Sequence, residues 1–290
     1  MVSTSVRPGS VHPGLATRPL LARHADESLT DARRVPRGMG AWGSMRATRD
    51  RGVELSVSSG SPERRIAEAG RGVAHLIVSG DEPAALDLLS EACEGPEPFE
   101  SCVRVLEPAA LALGDLWGRD ECTGFALTLA LVRLQTDFRR MCVRWPVVPF
   151  ALEPGSSVLV VPLPGEVHGL GAALASEALW RAGHDVDVGF PSTDAALQEE
   201  VAATRFDAVH LALSPAVSRQ GWLGRLATTV TELRSASSNA GLRVFVGGRV
   251  FGDQRGAARS VGADGGADTA LDLDGMVREP AAREAQAQAC

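Results

Sequence analysis

The stretch Pro164-Gly165-Glu166-Val167-His168-Gly169-Leu170-Gly171 concentrates the groups of this chain whose types and spacing suit chemistry. A carboxylate stands two residues before a histidine, and glycines follow one and three residues beyond it. A neutral imidazole is a metal ligand, and a carboxylate that accepts the proton of its second nitrogen fixes the tautomer and strengthens the donor. Gly169 and Gly171 let a large planar ligand, or its tail, approach the backbone. An isolated histidine is ordinarily a structural or surface residue; the spacing around His168 is what argues for a ligand. Other chemistries are excluded by composition. All 29 cations are arginine and tyrosine is absent, which removes aldimine formation on lysine, the phosphate-cradling P-loop lysine and a tyrosine acid. Cys93, Cys102, Cys122, Cys142 and Cys290 are widely spaced, without a C-x-x-C pair, so neither a disulfide framework nor a zinc site is expected. They read as small buried hydrophobes.

The loop needs a frame that aims it. Ser157 to Leu163 is a short, continuously apolar, β-branched run, the pattern of a strand covered on both faces. Behind it, strand-like and helical stretches alternate: a helix over 170–182, a strand Asp185–Val188, a helix over 193–204, a strand Ala208–Leu213, a helix over 219–236, a strand Val244–Val246, a helix over 253–261 and a last strand near 268–271. Five strands alternating with helices predict a doubly wound parallel sheet of flavodoxin-like type, over 156–275. Ligands of such sheets sit beyond the carboxyl ends of the strands, where the His168 loop falls.

Ahead of the sheet the period is helical. Ser61-Pro62-Glu63 offers an N-cap, a first-position proline and a first-turn acid, and Asp81-Glu82-Pro83 repeats the signal. A third helix runs from Phe99 to Trp117 and a fourth from Cys122 to Val143, so residues 61–145 predict a four-helix bundle. Residues 1–60 are rich in Ser, Gly, Pro and Arg, with nine arginines against five acids, and carry His12 and His24. Two readings stand: a disordered leader, or a basic arm that contacts an acidic partner such as DNA. The tail over 276–290 reads as a frayed helix or as disordered. No apolar run reaches the ~18 residues of a membrane span, and the first twenty residues lack a signal-peptide core, so a cytoplasmic protein is expected.

Glu166-Val167-His168-Gly169-Leu170-Gly171 is similar to the D-x-H-x-x-G motif of cobalamin-binding domains, with Glu in place of Asp. The resemblance implies that His168 replaces the cobalamin's own benzimidazole as lower ligand of cobalt, and that the displaced nucleotide tail enters the sheet. Ser214, after the third strand, matches the family's S-x-L serine, although Ser214-Pro215-Ala216 lacks the leucine. Gly247-Gly248, after the fourth, match the glycine pair that admits the tail. Leu113-Gly114-Asp115-Leu116-Trp117 and the helix after it look like the helical cap of such domains. In cobalamin photoreceptors a tryptophan at the position of Trp117 covers the upper face of the corrin. A Glu-His pair about ten residues later supplies an upper ligand in those receptors; Leu127-Thr128 stand there here.

Over roughly residues 62–275 the chain resembles most the branch containing the PpaA/AerR-like regulators of photosynthesis genes in purple bacteria, with the related SCHIC domains that take heme. The resemblance implies a non-enzymatic, cobalamin-binding antirepressor acting through a repressor of the PpsR/CrtJ kind. The alternatives are a heme sensor and a corrinoid methyl-carrier subunit. The cofactor contacts it implies are Glu166, His168, Gly169, Gly171, Ser214, Gly247, Gly248 and Trp117, with His168 on the metal. Leu127-Thr128 leave the upper position vacant, and the place of His12 and His24 on the arm suggests that one of them closes over it. Ordinary alternatives accompany these roles: Trp117 as a core anchor of the bundle, Ser214 and the glycine pair as turn formers. His75, His184 and His210 read as structural, His184 as a cation at a helix end.

Overall fold

A computed structural model describes residues 61–145, 155–214, 222–248, 251 and 256–279. The described residues begin with four helices, α1 (Pro62–Ser79), α2 (Glu82–Ala92), α3 (Pro98–Gly118) and α4 (Gly124–Arg144). Local chemistry sets their starts. The side chains of Ser61, Asp81 and Thr123 accept from the backbone N–H of Arg64, Ala84 and Ala126, three residues into α1, α2 and α4. Helices α1 and α3 cross closely at Gly70. A Cβ there would lie 2.8 Å from the Pro108 Cβ and 2.9 Å from the Ala109 nitrogen and the Val105 oxygen.

After the linker come β1 (Ser157–Pro162), α5 (Leu170–Arg181), β2 (Asp185–Val188), α6 (Asp194–Ala203), β3 (Ala208–Ala212), α7 (Trp222–Ala236), β4 (Arg243–Gly247), α8 (Ala257–Ser260), β5 (Gly265–Ala267) and α9 (Leu273–Arg278). The five strands are all parallel in the order β2-β1-β3-β4-β5, the doubly wound, flavodoxin-like arrangement expected from the alternation. Winding reverses between β1 and β3, so the loops leaving their carboxyl ends diverge and open a crevice. Strand alternation divides the core. Val158, Val160, Ala208, Ala212 and Phe245 join α5, α9 and the bundle in one cluster, while Leu159, Val161, Val209, Leu211 and Val246 pack with α6 and α7 in another.

The bundle sits on α5, whose buried Ala172, Ala173, Ala175 and Ser176 permit a close approach. Arg181 at the end of α5 fastens it. Its guanidinium donates to the Glu177 carboxylate at 2.9 Å and to the carbonyls of Cys142 at 3.2 Å and Trp145 at 3.3 Å, and lies 4.7 Å from the Phe99 ring centroid. The unpaired carbonyls at the end of α4 thus receive a cation from the sheet domain. His184 is a second tie. Its Nδ1 accepts from Ser156 N–H at 3.1 Å, so Nε2 carries the proton and donates to Asp274 at 2.9 Å. Burial lowers its pKa more than Asp274 restores it. It clamps the linker to α9, a role the helix-end reading did not include.

The last strand departs from expectation. Residues 268–271 are not β5; Gly265–Ala267 pair with β4, and Ala270–Asp272 form a 3-10 turn leading into α9. Gly265-Gly266-Ala267 has no β-branched residue to mark it, whereas Thr269 and Asp272 form a capping box that starts the turn. The helices expected over 219–236 and 253–261 are described over Trp222–Ala236 and Ala257–Ser260. Cys93 and Cys102 are buried and Cys122 and Cys142 half-buried, all four unbridged.

Gly70→Val should push α1 off the α3 backbone and lower unfolding free energy by about 1–3 kcal/mol. Urea denaturation of the two proteins measures this; an unchanged midpoint would mean that the crossing is looser than described.

Candidate functional site

The β1–α5 loop turns tightly after the strand. Gly165 takes φ +84°, and Glu166 N–H donates to the Leu163 carbonyl at 2.8 Å. This returns Glu166 over the strand ends, where its carboxylate has three partners. One oxygen accepts from the His168 backbone N–H at 3.0 Å, and the other from the Ser214 hydroxyl at 2.6 Å and the Ser214 N–H at 3.3 Å. The Glu166 carboxylate therefore holds main chain and Ser214, where the Glu-x-His spacing suggested the His168 ring. A side chain two residues before an N–H is well placed to accept from it, and here that local bond forms. His168 is half-buried and lines a cavity.

That cavity, of about 460 Å³, lies between the bundle and the carboxyl edge of the sheet. Its size falls in the small-molecule range. On the bundle side α3 presents Glu107, Ala110 and Gly114 at helical spacing, and Trp117, 46% exposed, stands at the lining's outer end. Small residues in mid-wall create the space. From α4 come Leu127 and Leu131; Leu127 is buried, and Thr128 is exposed with its hydroxyl on the Gly124 carbonyl, so positions 127–128 bring no imidazole. Glu107 reaches across the junction to accept from Ala270 N–H at 2.8 Å, and burial raises its pKa.

The sheet side contributes His168, Gly171, Ala212, Ser214, Gly247 and Gly248. Glu166 and Gly169 stand behind this lining; a Cβ on Gly169 would be 3.7 Å from the Gln135 amide, an ordinary contact. The glycine pair is required by neighbouring protein atoms. A Cβ on Gly247 would lie 2.5 Å from His210 Cε1, and one on Gly248, which has φ +129°, would lie 2.1 Å from the Leu213 carbonyl oxygen. Both positions nevertheless face the cavity.

His210 is the lining residue that sequence reasoning set aside as structural. It lies in mid-strand, opposite Val160 and Phe245, fully enclosed, and its Nδ1 has no hydrogen-bond partner among the described residues. Desolvation holds its pKa down at about 4. A polar residue in the all-buried strand Ala208–Ala212 was the available signal. The arm with His12 and His24, and the tail from Pro280, lie outside the described residues.

Because His210 is neutral in the fold and titrates near 6.5 when unfolded, it favours the fold above that value. This contribution is lost as pH falls toward about 4. The loss is on the order of 3 kcal/mol. Thermal melts between pH 7 and 4 should show a shallower acid decline for His210→Leu than for the parent protein; parallel curves would contradict an enclosed neutral ring.

A family model described as the B12 binding domain matches residues 70–130, from α1 into α4. Among curated proteins, the chain is similar to an uncharacterized 20.5 kDa protein in the bchF-crtJ intergenic region of Rhodobacter capsulatus. The two are 29% identical over 166 residues, 57% of this chain and 83% of that one. The monomethylamine corrinoid protein of Methanosarcina barkeri is similar in structure, with a TM-score of 0.54 at 17% identity, covering 72% of this chain and 96% of that one. A novel cobalamin-binding protein from Desulfitobacterium hafniense DCB-2 aligns over 71% of this chain and 96% of its own, at 17% identity and TM-score 0.36. At such identity the Methanosarcina likeness is one of fold, a helical part followed by a parallel sheet with flanking helices. The B12 binding domain match and the Rhodobacter relative thus accord with the family resemblance read from the motifs.

Proposed function

We propose that this protein binds a cobalamin between bundle and sheet, with the His168 imidazole as the group that would hold its cobalt, and that it is a non-enzymatic regulator. The observation that carries the reading is the place of His168 in the lining of a cavity at the carboxyl end of β1, in a chain whose helical half matches the B12 binding domain model. The donor set suits this group. Among the described residues no three His, Cys, Asp or Glu side chains converge on a metal position. A metal that arrives inside a macrocycle asks one ligand of the protein, and one imidazole is what the cavity wall offers beside the floor residue His210.

A bound alkylcobalamin would supply a light-sensitive cobalt–carbon bond. The chain's own residues orient and enclose. Glu166 fixes the backbone that carries His168, and Ser214 locks that carboxylate to β3. Trp117, half-exposed in the lining, would cover a planar ligand, and the small α3 residues Ala110 and Gly114 would leave room for it. Since α3 and α4 form one wall, occupancy alters their packing on α5, and with it the grip on a transcriptional repressor of the PpsR/CrtJ kind. Support for regulation comes from the location of the Rhodobacter relative, between bchF and crtJ.

Absorption spectra of protein purified in the dark and mixed with hydroxo-, methyl- and adenosylcobalamin, or with heme, test this. A corrin spectrum altered by the protein is expected, changing on illumination for the alkyl forms, with His168→Ala weakening binding by ~tenfold or more. A Soret band with heme and no corrin binding would instead make the protein a heme sensor. Methyl transfer to a partner enzyme would make it a carrier subunit.

A further inference from the structure

His210 lines the cavity, yet its ring makes no hydrogen bond among the described residues. A polar side chain in mid-strand costs stability unless a partner completes it. An aliphatic residue would fill a fully covered strand at lower cost, as the flanking Val209 and Leu211 do. The ring also constrains its surroundings, since Gly247 must lack a side chain for it to fit. Burial holds the ring neutral, so one nitrogen carries a proton and the other a lone pair. Nδ1 is sealed in protein. A buried N–H without an acceptor is rarer than an acceptor without a donor, so the proton belongs on Nε2, the atom beside Gly247.

The reading of His168 as lower ligand creates a complementary need. Once a protein imidazole occupies that side of the cobalt, the cofactor's own base is released, and its ring nitrogen has a lone pair with no metal. Moved into apolar surroundings, that nitrogen needs a donor. Resting on the cobalamin reading above, we propose that His210 donates from Nε2 to the displaced heteroaromatic base of the nucleotide tail, and so selects corrinoids that carry this tail. A neutral donor suits a neutral acceptor. The tail's phosphate would be better met by a cation or by backbone N–H groups.

The test compares aquocobalamin with aquocobinamide, which lacks the nucleotide tail, by spectroscopic titration of the full chain. The parent protein should bind aquocobalamin more tightly than aquocobinamide. His210→Leu should lose roughly tenfold in aquocobalamin affinity, the scale of one hydrogen bond, and leave aquocobinamide affinity unchanged. His210→Gln, which keeps a neutral N–H donor, should retain most of the preference. The ligand-free leucine variant at neutral pH should melt no lower than the parent, because an unsatisfied group is gone. Equal losses for both corrinoids in the leucine variant, or no loss for either, would overturn the proposal while leaving cobalamin binding intact. If that variant fails to fold, the glutamine variant decides: a kept preference supports the proposal and an abolished one overturns it. Absence of aquocobalamin binding by the parent protein would overturn both the proposal and the functional reading on which it rests.

Discussion

The Glu166 carboxylate ties the two strand ends between which the winding of the sheet reverses. β1 and β3 are adjacent and parallel, and the helices α5 and α7 lie on opposite faces of the sheet, so past the bond from Leu163 N–H to the Ala212 carbonyl the two courses part. Glu166, on the first loop, accepts from Ser214 at the end of β3 and from the backbone of His168. One side chain therefore braces both the crevice walls and the backbone carrying the imidazole, beside the Arg225 bond from α7 to the Pro164 carbonyl. A Glu, longer than Asp by one methylene, reaches both anchors from a turn that Gly165 makes possible.

The rest of the architecture is arranged around keeping that crevice open under a lid of helices. A bundle packed flush against the sheet would fill it. The close contacts are instead displaced to the sides, where alanines on α5, the Arg181 bonds to the end of α4 and the Glu107 bond to Ala270 secure the junction. Between them the lining holds small residues from both sides, Ala110 and Gly114 from the bundle and Gly171 and Ala212 from the sheet domain. Packing that is dense at the rim and absent at the centre is how a cavity persists without collapse.

What was legible in the sequence follows the range of the interactions. Helix starts were legible at Ser61 and Asp81 because these caps act within a single turn, and β1 and β3 because strands covered on both faces are apolar throughout. β5 was not, because Gly265-Gly266-Ala267 is a strand only by virtue of pairing with β4. In the site, the loop motif pointed to His168 directly. The partners of Glu166 were hidden, since the spacing Glu-x-His suits a main-chain N–H as well as a ring, and Ser214 lies far along the chain. His210 was hidden for the same reason. A histidine in a strand carries no message until the register puts Gly247 beside it and shows that no side chain there would fit.

The central claim is that His168, and not the cofactor's own base, lies on the metal. Electron paramagnetic resonance of the protein bound to cobalamin reduced to the cobalt(II) state reads this atom directly, because one axial nitrogen splits the cobalt lines. Growing the protein with histidine labelled in the heavy nitrogen isotope should convert each triplet to a doublet, and His168→Ala should abolish that isotope effect. Splitting that ignores the label would assign the axial nitrogen to the benzimidazole and contradict the account.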